Sequence, residues 1–212
     1  MSLDQLSKTF DAFVQEAHRL KDLYADRIVL LVGLETEFVT GDDDMAGLER
    51  LLERHGDHIE YLVGSVHHVN TIPIDFDLHT FQHAVNSFGN AKMDYSQALE
   101  HLLLSYFDAQ YDLMRRCHPE IIGHFDLCRL YHPSLRFQDH PTVWAKIERN
   151  VQYAAEYGAL FELNAAAFRK GWDDAYPGSD VVQVSCFHCS DPASSQNLHE
   201  VHNQVGRTVY FV

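Results

Sequence analysis

Residues 27–35 read Arg27-Ile-Val-Leu-Leu-Val-Gly33-Leu-Glu35, and this stretch decides the fold class. From Ile28 to Leu34 the run is continuously apolar, carries β-branched side chains, and ends in glycine followed by acids. A strand with one wet face alternates apolar and polar residues, whereas a strand covered on both faces does not, so the run predicts a buried strand of a parallel sheet. Ahead of it, Leu3, Leu6, Phe10, Phe13, Val14, Ala17, Leu20 and Leu23 recur at three- and four-residue steps, the spacing of one helical face. Behind it the alternation continues. A helix is expected around Asp44 to Arg54, a strand around Ile59 to Val66, a helix over Tyr95 to Arg116 and a short strand over Ile121 to Phe125. A helix introduced by Pro141 then runs over Thr142 to Tyr157, and a strand follows at Ala159 to Leu163. Helices alternating with strands indicate an α/β fold. The segment between His67 and Tyr95, with a short helix over Leu78 to Ser87, is longer than an ordinary connection and is expected to sit over a site.

Sixteen Lys and Arg residues stand against 31 Asp and Glu, a formal charge of −15, while 46% of the residues are hydrophobic and 12% aromatic. So much apolar and aromatic material builds a core, which separates this acidic chain from a disordered one. The acidity opposes a polyanion, and no basic run is longer than Arg115-Arg116, so nucleic acid is excluded as a general partner. The polar start Met1-Ser-Leu-Asp4 lacks the basic and apolar regions of an export signal. The longest apolar run, about seven residues, falls far short of the roughly 20 that span a membrane. Four cysteines are too few for a disulfide framework in a chain of this length. The expectation is a cytoplasmic protein with reduced thiols and no membrane partner. Fifteen histidines raise metal chemistry as a hypothesis.

Glu35 follows the first expected strand, His67 the second, His124 the third and Asn164 the fourth. In a β/α barrel the carboxyl ends of all strands open on one face, so residues distant in sequence can meet there. A ligand set of carboxylate oxygen and imidazole nitrogen suits zinc, manganese or iron better than magnesium or calcium, which prefer oxygen alone.

Four segments carry a resemblance: Gly33-Leu-Glu35-Thr-Glu37-Phe, Gly64-Ser-Val-His67-His68, Gly123-His124-Phe-Asp126-Leu, and Glu162-Leu-Asn164 through Phe168-Arg169-Lys170-Gly171. In order and spacing they resemble the histidinol-phosphatase branch of the polymerase-and-histidinol-phosphatase (PHP) superfamily, fungal members above all. The resemblance implies a distorted β/α barrel of seven strands around a cluster of divalent metal ions, and hydrolysis of L-histidinol phosphate, a small phosphate ester, in histidine biosynthesis. It further implies Glu35 as a bridging carboxylate of catalytic importance, His67 and His124 as metal ligands, and Glu37 and Asn164 as supports behind them. Arg129 and Arg169 are similar to arginines that clasp the substrate phosphate, for which a planar guanidinium is suited.

Family members open with a strand ending in His-x-His and carry an Asp-x-His motif near the other end. Residues 1–30 contain no His-x-His, and residues 181–212 align with no such motif; Ser190-Asp191 and His199 with His202 are the nearest remnants. The expected fold is therefore a partial distorted (β/α)7 barrel over residues 1–180, lacking N-terminal βα units and a C-terminal unit, followed by a divergent tail over 181–212. Such a barrel would leave a sheet edge uncovered, through which chains could self-associate. Two alternatives stand beside the phosphatase: a non-catalytic homologue, and a PHP metallophosphoesterase with another substrate. Cys186-Phe-His-Cys189 has the spacing of a thiol pair but no second such pair to complete a zinc site. His68 is read as an outward neighbour of His67.

Overall fold

A computed structural model describes residues 3–38, 42–188 and 209–211. Helix α1 (Leu3–Leu23) is followed by strand β1 (Gly33–Glu37), α2 (Asp42–His55) and β2 (Tyr61–Ser65). A small hairpin, β3 (His68–Val69) and β4 (Ile72–Pro73), precedes α3 (Leu78–Ser87) and α4 (Tyr95–Cys117). Next come β5 (Ile121–Ile122), α5 (Pro141–Tyr157), β6 (Leu160–Leu163), the short α6 (Ala166–Arg169), α7 (Ser179–His188) and β7 (Val209–Phe211). The main sheet has the order β1-β2-β5-β6-β7, with the first four strands parallel and β7 antiparallel to β6. Each parallel neighbour is the next in chain order once the hairpin is set aside, and α2, α4 and α5 make the crossovers. This is the progression of a β/α sheet, and it puts the carboxyl ends of four strands along one rim.

Local chemistry sets the helix limits. The Asp94 side chain accepts from Gln97 N while Gln97 reaches back to Asp94 N, a reciprocal cap at the start of α4. At the other end His118 turns left-handed at φ 42°, and Pro119 follows where a helix could not continue. Pro141 opens α5 and Gly158, at φ 83°, closes it. The inner face of α4 supplies Leu102, Leu103, Tyr106, Phe107, Leu113 and Met114 to the core, all essentially inaccessible. Phe107 lies at its centre, with ring centroids 5.2 Å from Tyr106, 5.7 Å from Phe125 and 5.6 Å from Phe137. Burial of one such side chain contributes about 1.5–3 kcal/mol, and the helix is held mainly by this face. Among the described residues no helix is long and apolar enough to cross a membrane.

Three sequence expectations need correction. The apolar run is not the first strand: β1 starts only at Gly33, and Ile28, Val29 and Leu31 are 55%, 85% and 61% exposed. A strand forms where a neighbour offers a ladder, and β2 lies alongside only from Tyr61, paired with Gly33. Just before it, Val32 N donates to the Glu60 carboxylate and Val32 O accepts from Glu60 N. Apolarity reported a need for cover without saying what meets it. The third strand is also shorter than expected, ending at Ile122, because His124 bends the chain out of the sheet at φ 22°. Finally, the connection after His67 holds the expected helix over Leu78 to Ser87 as α3, but ahead of it the chain folds back in a hairpin, β3–β4, that was not expected.

The boundary expected at residue 180 falls inside α7, whose Val181 is fully buried against the core. Ser190-Asp191, Cys189, His199 and His202 lie outside the described residues, as do the side chains of residues 185–188.

Candidate metal centre

Side-chain alternation on β1 sends Glu35 and Glu37 to one face and Thr36, 2% exposed, to the other. His67 leaves the carboxyl end of β2 and His124 that of β5, so the three strands deliver their side chains to one place. Glu35 Oε1 is the meeting point: it lies 3.3 Å from His124 Nε2 and 3.7 Å from His67 Nε2, and the two imidazole nitrogens are 3.2 Å apart. Ser65 Oγ donates to the same oxygen at 2.7 Å. Gly123 permits this, because a Cβ there would stand 2.6 Å from Ser65 Oγ.

Glu35, His67 and His124 each offer one ligand atom, and all three atoms fall within 4.8 Å of one another. Ligand atoms held at about 2.0–2.1 Å by a tetrahedral ion are separated by about 3.3 Å. The observed separations of 3.2, 3.3 and 3.7 Å match that triangle, so these residues fit a divalent ion without large movement.

The electrostatics agree with the geometry. The hydrogen bond with His124, with smaller help from Ser65 and the charge of His67, holds the Glu35 carboxyl down at about 2 against the opposing effect of burial. Burial by itself would lower the His67 pKa, but the Glu37 hydrogen bond and the charges of Glu37, Asp75 and Glu35 carry it above its ordinary value. Glu37 accepts from Nδ1 of both His67 and His68 at 2.7 Å. Its own pKa, which burial would raise, is thereby lowered. With Nδ1 of His67 bonded to this carboxylate, Nε2 is the nitrogen left facing Glu35 and His124, free to offer its lone pair once its proton is displaced, the arrangement by which a carboxylate orients a metal-binding imidazole. His68 is thus tied into the site through Glu37 instead of standing apart from it.

A cavity of about 340 Å³ opens beside the triad and is bordered by Asp75, Glu162, Asn164, Lys170 and Tyr176 as well as by Glu35, His67 and His124. Glu162 Oε2 accepts from the backbone N of His124 at 2.8 Å, and its Oε1 accepts from Asn164 Nδ2 at 3.0 Å. Asn164 Oδ1 accepts from Ala166 N, which caps the turn after β6. Asn164 therefore stands two bonds behind His124, with Glu162 between them. Sequence reasoning quoted Ser65, Glu162 and Lys170 within motifs but gave them no role, and it did not reach Asp75 or Tyr176. For Asp75 the available signal was its place in the long segment expected to cover a site.

The two arginines do not border the cavity. Arg129 is 5% exposed, ion-paired with Asp126 at 2.7 Å and with Asp180 at 3.2 Å. Arg169 is exposed at the end of α6, while its neighbour Lys170 reaches the cavity wall.

Comparison with known proteins gives the family. A model of the PHP domain matches residues 5–166. The chain belongs to the PHP domain family. The chain is 42% identical over 206 residues to a protein of Schizosaccharomyces pombe named probable histidinol-phosphatase, covering 96% of the chain and 64% of the relative. It is 31% identical to the Saccharomyces cerevisiae histidinol-phosphatase over 88% of the chain and 61% of the relative. A probable histidinol-phosphatase of Deinococcus radiodurans is 26% identical over 87% of the chain and 62% of the relative. The chain thus spans roughly three fifths of the length of these relatives.

Proposed function

We propose that the chain carries the metal-binding face of a phosphomonoesterase that hydrolyses L-histidinol phosphate to L-histidinol and phosphate. The observation that carries the proposal is the convergence of Glu35 Oε1, His67 Nε2 and His124 Nε2 at ligand spacing on the carboxyl rim of the sheet. The names of relatives that match nearly the whole chain supply the substrate. The parallel strands in chain order are read as an arc of a distorted β/α barrel, whose strand ends gather the site.

Glu35, His67 and His124 would hold the ion, and their mixed oxygen and nitrogen donors favour zinc, manganese or iron. A bound ion of this kind supplies Lewis acidity and acidifies a water molecule. The remaining work falls to the chain. Glu35 is ionised at neutral pH and needs no proton loss before it can act as a ligand. Glu37 fixes the tautomer and direction of His67, and Glu162 fixes the backbone that aims His124. Lys170, which also lines the cavity, offers a cation to a phosphoryl group entering it. Arg169, one residue away in an exposed position, adds positive potential at that edge. Since Arg129 already faces two carboxylates, the proposal assigns phosphate contact to Lys170 ahead of it.

The test is phosphate release from L-histidinol phosphate by the purified chain with added manganese or zinc, beside the Glu35→Gln protein. Metal-dependent release by the wild-type chain and none by the variant is the expected result. A folded, metal-loaded wild-type chain without turnover would favour the non-catalytic alternative. Equal rates on unrelated phosphomonoesters would favour another substrate.

A further inference from the structure

The charged groups of the cavity wall divide into those already engaged and those left over. Glu35 is held by Ser65, His67 and His124, and Glu162 by His124 N and Asn164. Two ionic side chains remain, Asp75 and Lys170, of opposite sign and without a hydrogen-bonded or ion-paired partner among the described residues. Asp75 is not on a loose tip. Ile74, fully buried, donates its backbone N–H to His67 O at 2.9 Å, and the backbone carbonyl of Asp75 faces Tyr131 Oη at 3.5 Å. The backbone is tied down on both sides while the carboxylate borders an open cavity. A fixed, half-buried carboxylate is best satisfied by a hydrogen-bonded cation; among the described residues the His67 imidazole feels the charge of Asp75, but no hydrogen bond or ion pair joins the two, so the carboxylate keeps its capacity for a cation in the cavity.

We infer that Asp75 is a specificity-determining residue that receives the ammonium group of the substrate, so that the site selects phosphate monoesters of amino alcohols over esters without an amine. This rests on the phosphatase reading and deepens it. Lys170 and the metal-binding side chains address the phosphoryl end, and Asp75, presented by the hairpin that follows β2, addresses the other end. A site built to pair a charged group on its ligand rejects the analogue lacking that group, because the site's own charge is then left unpaired.

The alternative role for Asp75 is as an electrostatic support of His67, and the test separates the two. L-Histidinol phosphate and 3-(imidazol-4-yl)propyl phosphate, which differ only in the amine, are compared as substrates of the wild-type chain and of Asp75→Asn. Metal affinity of both proteins is measured alongside, by equilibrium dialysis with zinc. The wild-type chain is expected to prefer the amine-bearing ester by about 10- to 100-fold in kcat/KM, and Asp75→Asn to lose most of that preference with its zinc affinity kept. Preference retained in Asp75→Asn, or a parallel fall in zinc affinity, overturns the inference. A binding measurement keeps the question open to test without turnover: by calorimetry, L-histidinol should bind the wild-type chain more tightly than 3-(imidazol-4-yl)propan-1-ol, and Asp75→Asn should not distinguish them. Failure of the phosphatase reading would show as no phosphate release with this binding preference intact. Failure of the Asp75 assignment would show as equal binding of the two alcohols by the wild-type chain.

Discussion

Nη2 of Arg129 stands 2.7 Å from Oδ2 of Asp126, and both side chains are buried. Asp126 in turn accepts from Gly178 N at 2.8 Å, and Asp180 approaches the same guanidinium, so the arginine fastens the segment around residues 174–180 to the turn after β5. That segment brings Tyr176 to the cavity wall. Arg129 is expected to act on stability. Arg129→Ala leaves Asp126 buried without its cation, which should cost about 3–5 kcal/mol in urea unfolding. Intact stability with a raised KM would instead return Arg129 to the phosphate role its position after His124 suggested. Gly178→Ala is a second route to the same effect, because a Cβ there would collide with Arg129 Nη2, which could withdraw only by disturbing its ion pairs with Asp126 and Asp180.

Addition of zinc or manganese should stabilise the chain through the triad. At a concentration about 100-fold above Kd, binding to the folded state contributes about 2.7 kcal/mol, which for a chain of this size raises Tm by roughly 5–10 °C. His124→Ala and Glu35→Gln are expected to abolish the rise. A shift that survives both substitutions would place the ion elsewhere.

Glu37 should matter for metal affinity without touching the ion. Glu37→Gln removes the carboxylate that holds Nδ1 of both His67 and His68, and a loss of about 10- to 100-fold in zinc affinity is expected by competition with a chromophoric chelator. His68→Ala, which leaves the Glu37 bond to His67 in place, should have a smaller effect.

Two histidines give stability opposite dependences on pH. Burial lowers the pKa of His132, which packs against the fully buried Phe81 ring with centroids 5.6 Å apart. Its folded form binds a proton less readily than the unfolded form, so its contribution is present above about pH 6.5 and is lost as pH falls through the lowered value. His67 has a raised pKa, so its contribution is present below about pH 6.5 and is lost as pH rises. Urea midpoints of the metal-free chain should therefore fall less between pH 6.5 and 5 in His132→Gln than in the wild type. An identical slope in the two proteins would show that the His132 environment does not shift its titration.

The core should be sensitive at Phe107, where rings from α4, the turn after β5 and the approach to α5 meet. Its carbonyl also accepts from the buried Asn150 Nδ2 at 2.7 Å. Phe107→Ala is expected to cost about 3–5 kcal/mol, read from the shift in urea midpoint at constant m-value.

Periodicity revealed the helices because their apolar faces and caps are local: Asp94, Pro141 and Gly158 mark ends that need no tertiary information. It misplaced β1 because strand limits depend on a neighbour distant in sequence, and Gly33 pairs with Tyr61. The same division holds at the site. Residues that follow strands in a β/α order, Glu35, His67 and His124, could be read as a convergent set, and the structure brings these three together. Asp75 was not legible because it follows a hairpin, and its place is set by the burial of Ile74 and the bond from Ile74 N to His67 O, neither of which leaves a periodic signal. Arg129 carried the right spacing for a phosphate contact, yet spacing does not reveal the two carboxylates that converge on its guanidinium.

Glu35 and His124 lie 89 positions apart in the chain, and β1, which carries Glu35, is hydrogen-bonded to a strand on only one side among the described residues. An ion shared by the two would act as a removable cross-link closing a long loop. Without it, β1 is the strand expected to open first, so its amides should exchange with deuterated solvent ahead of those of β2 and β5. With it, exchange of β1 should slow toward the rate of the sheet interior, making metal occupancy readable from the amides of a single edge strand.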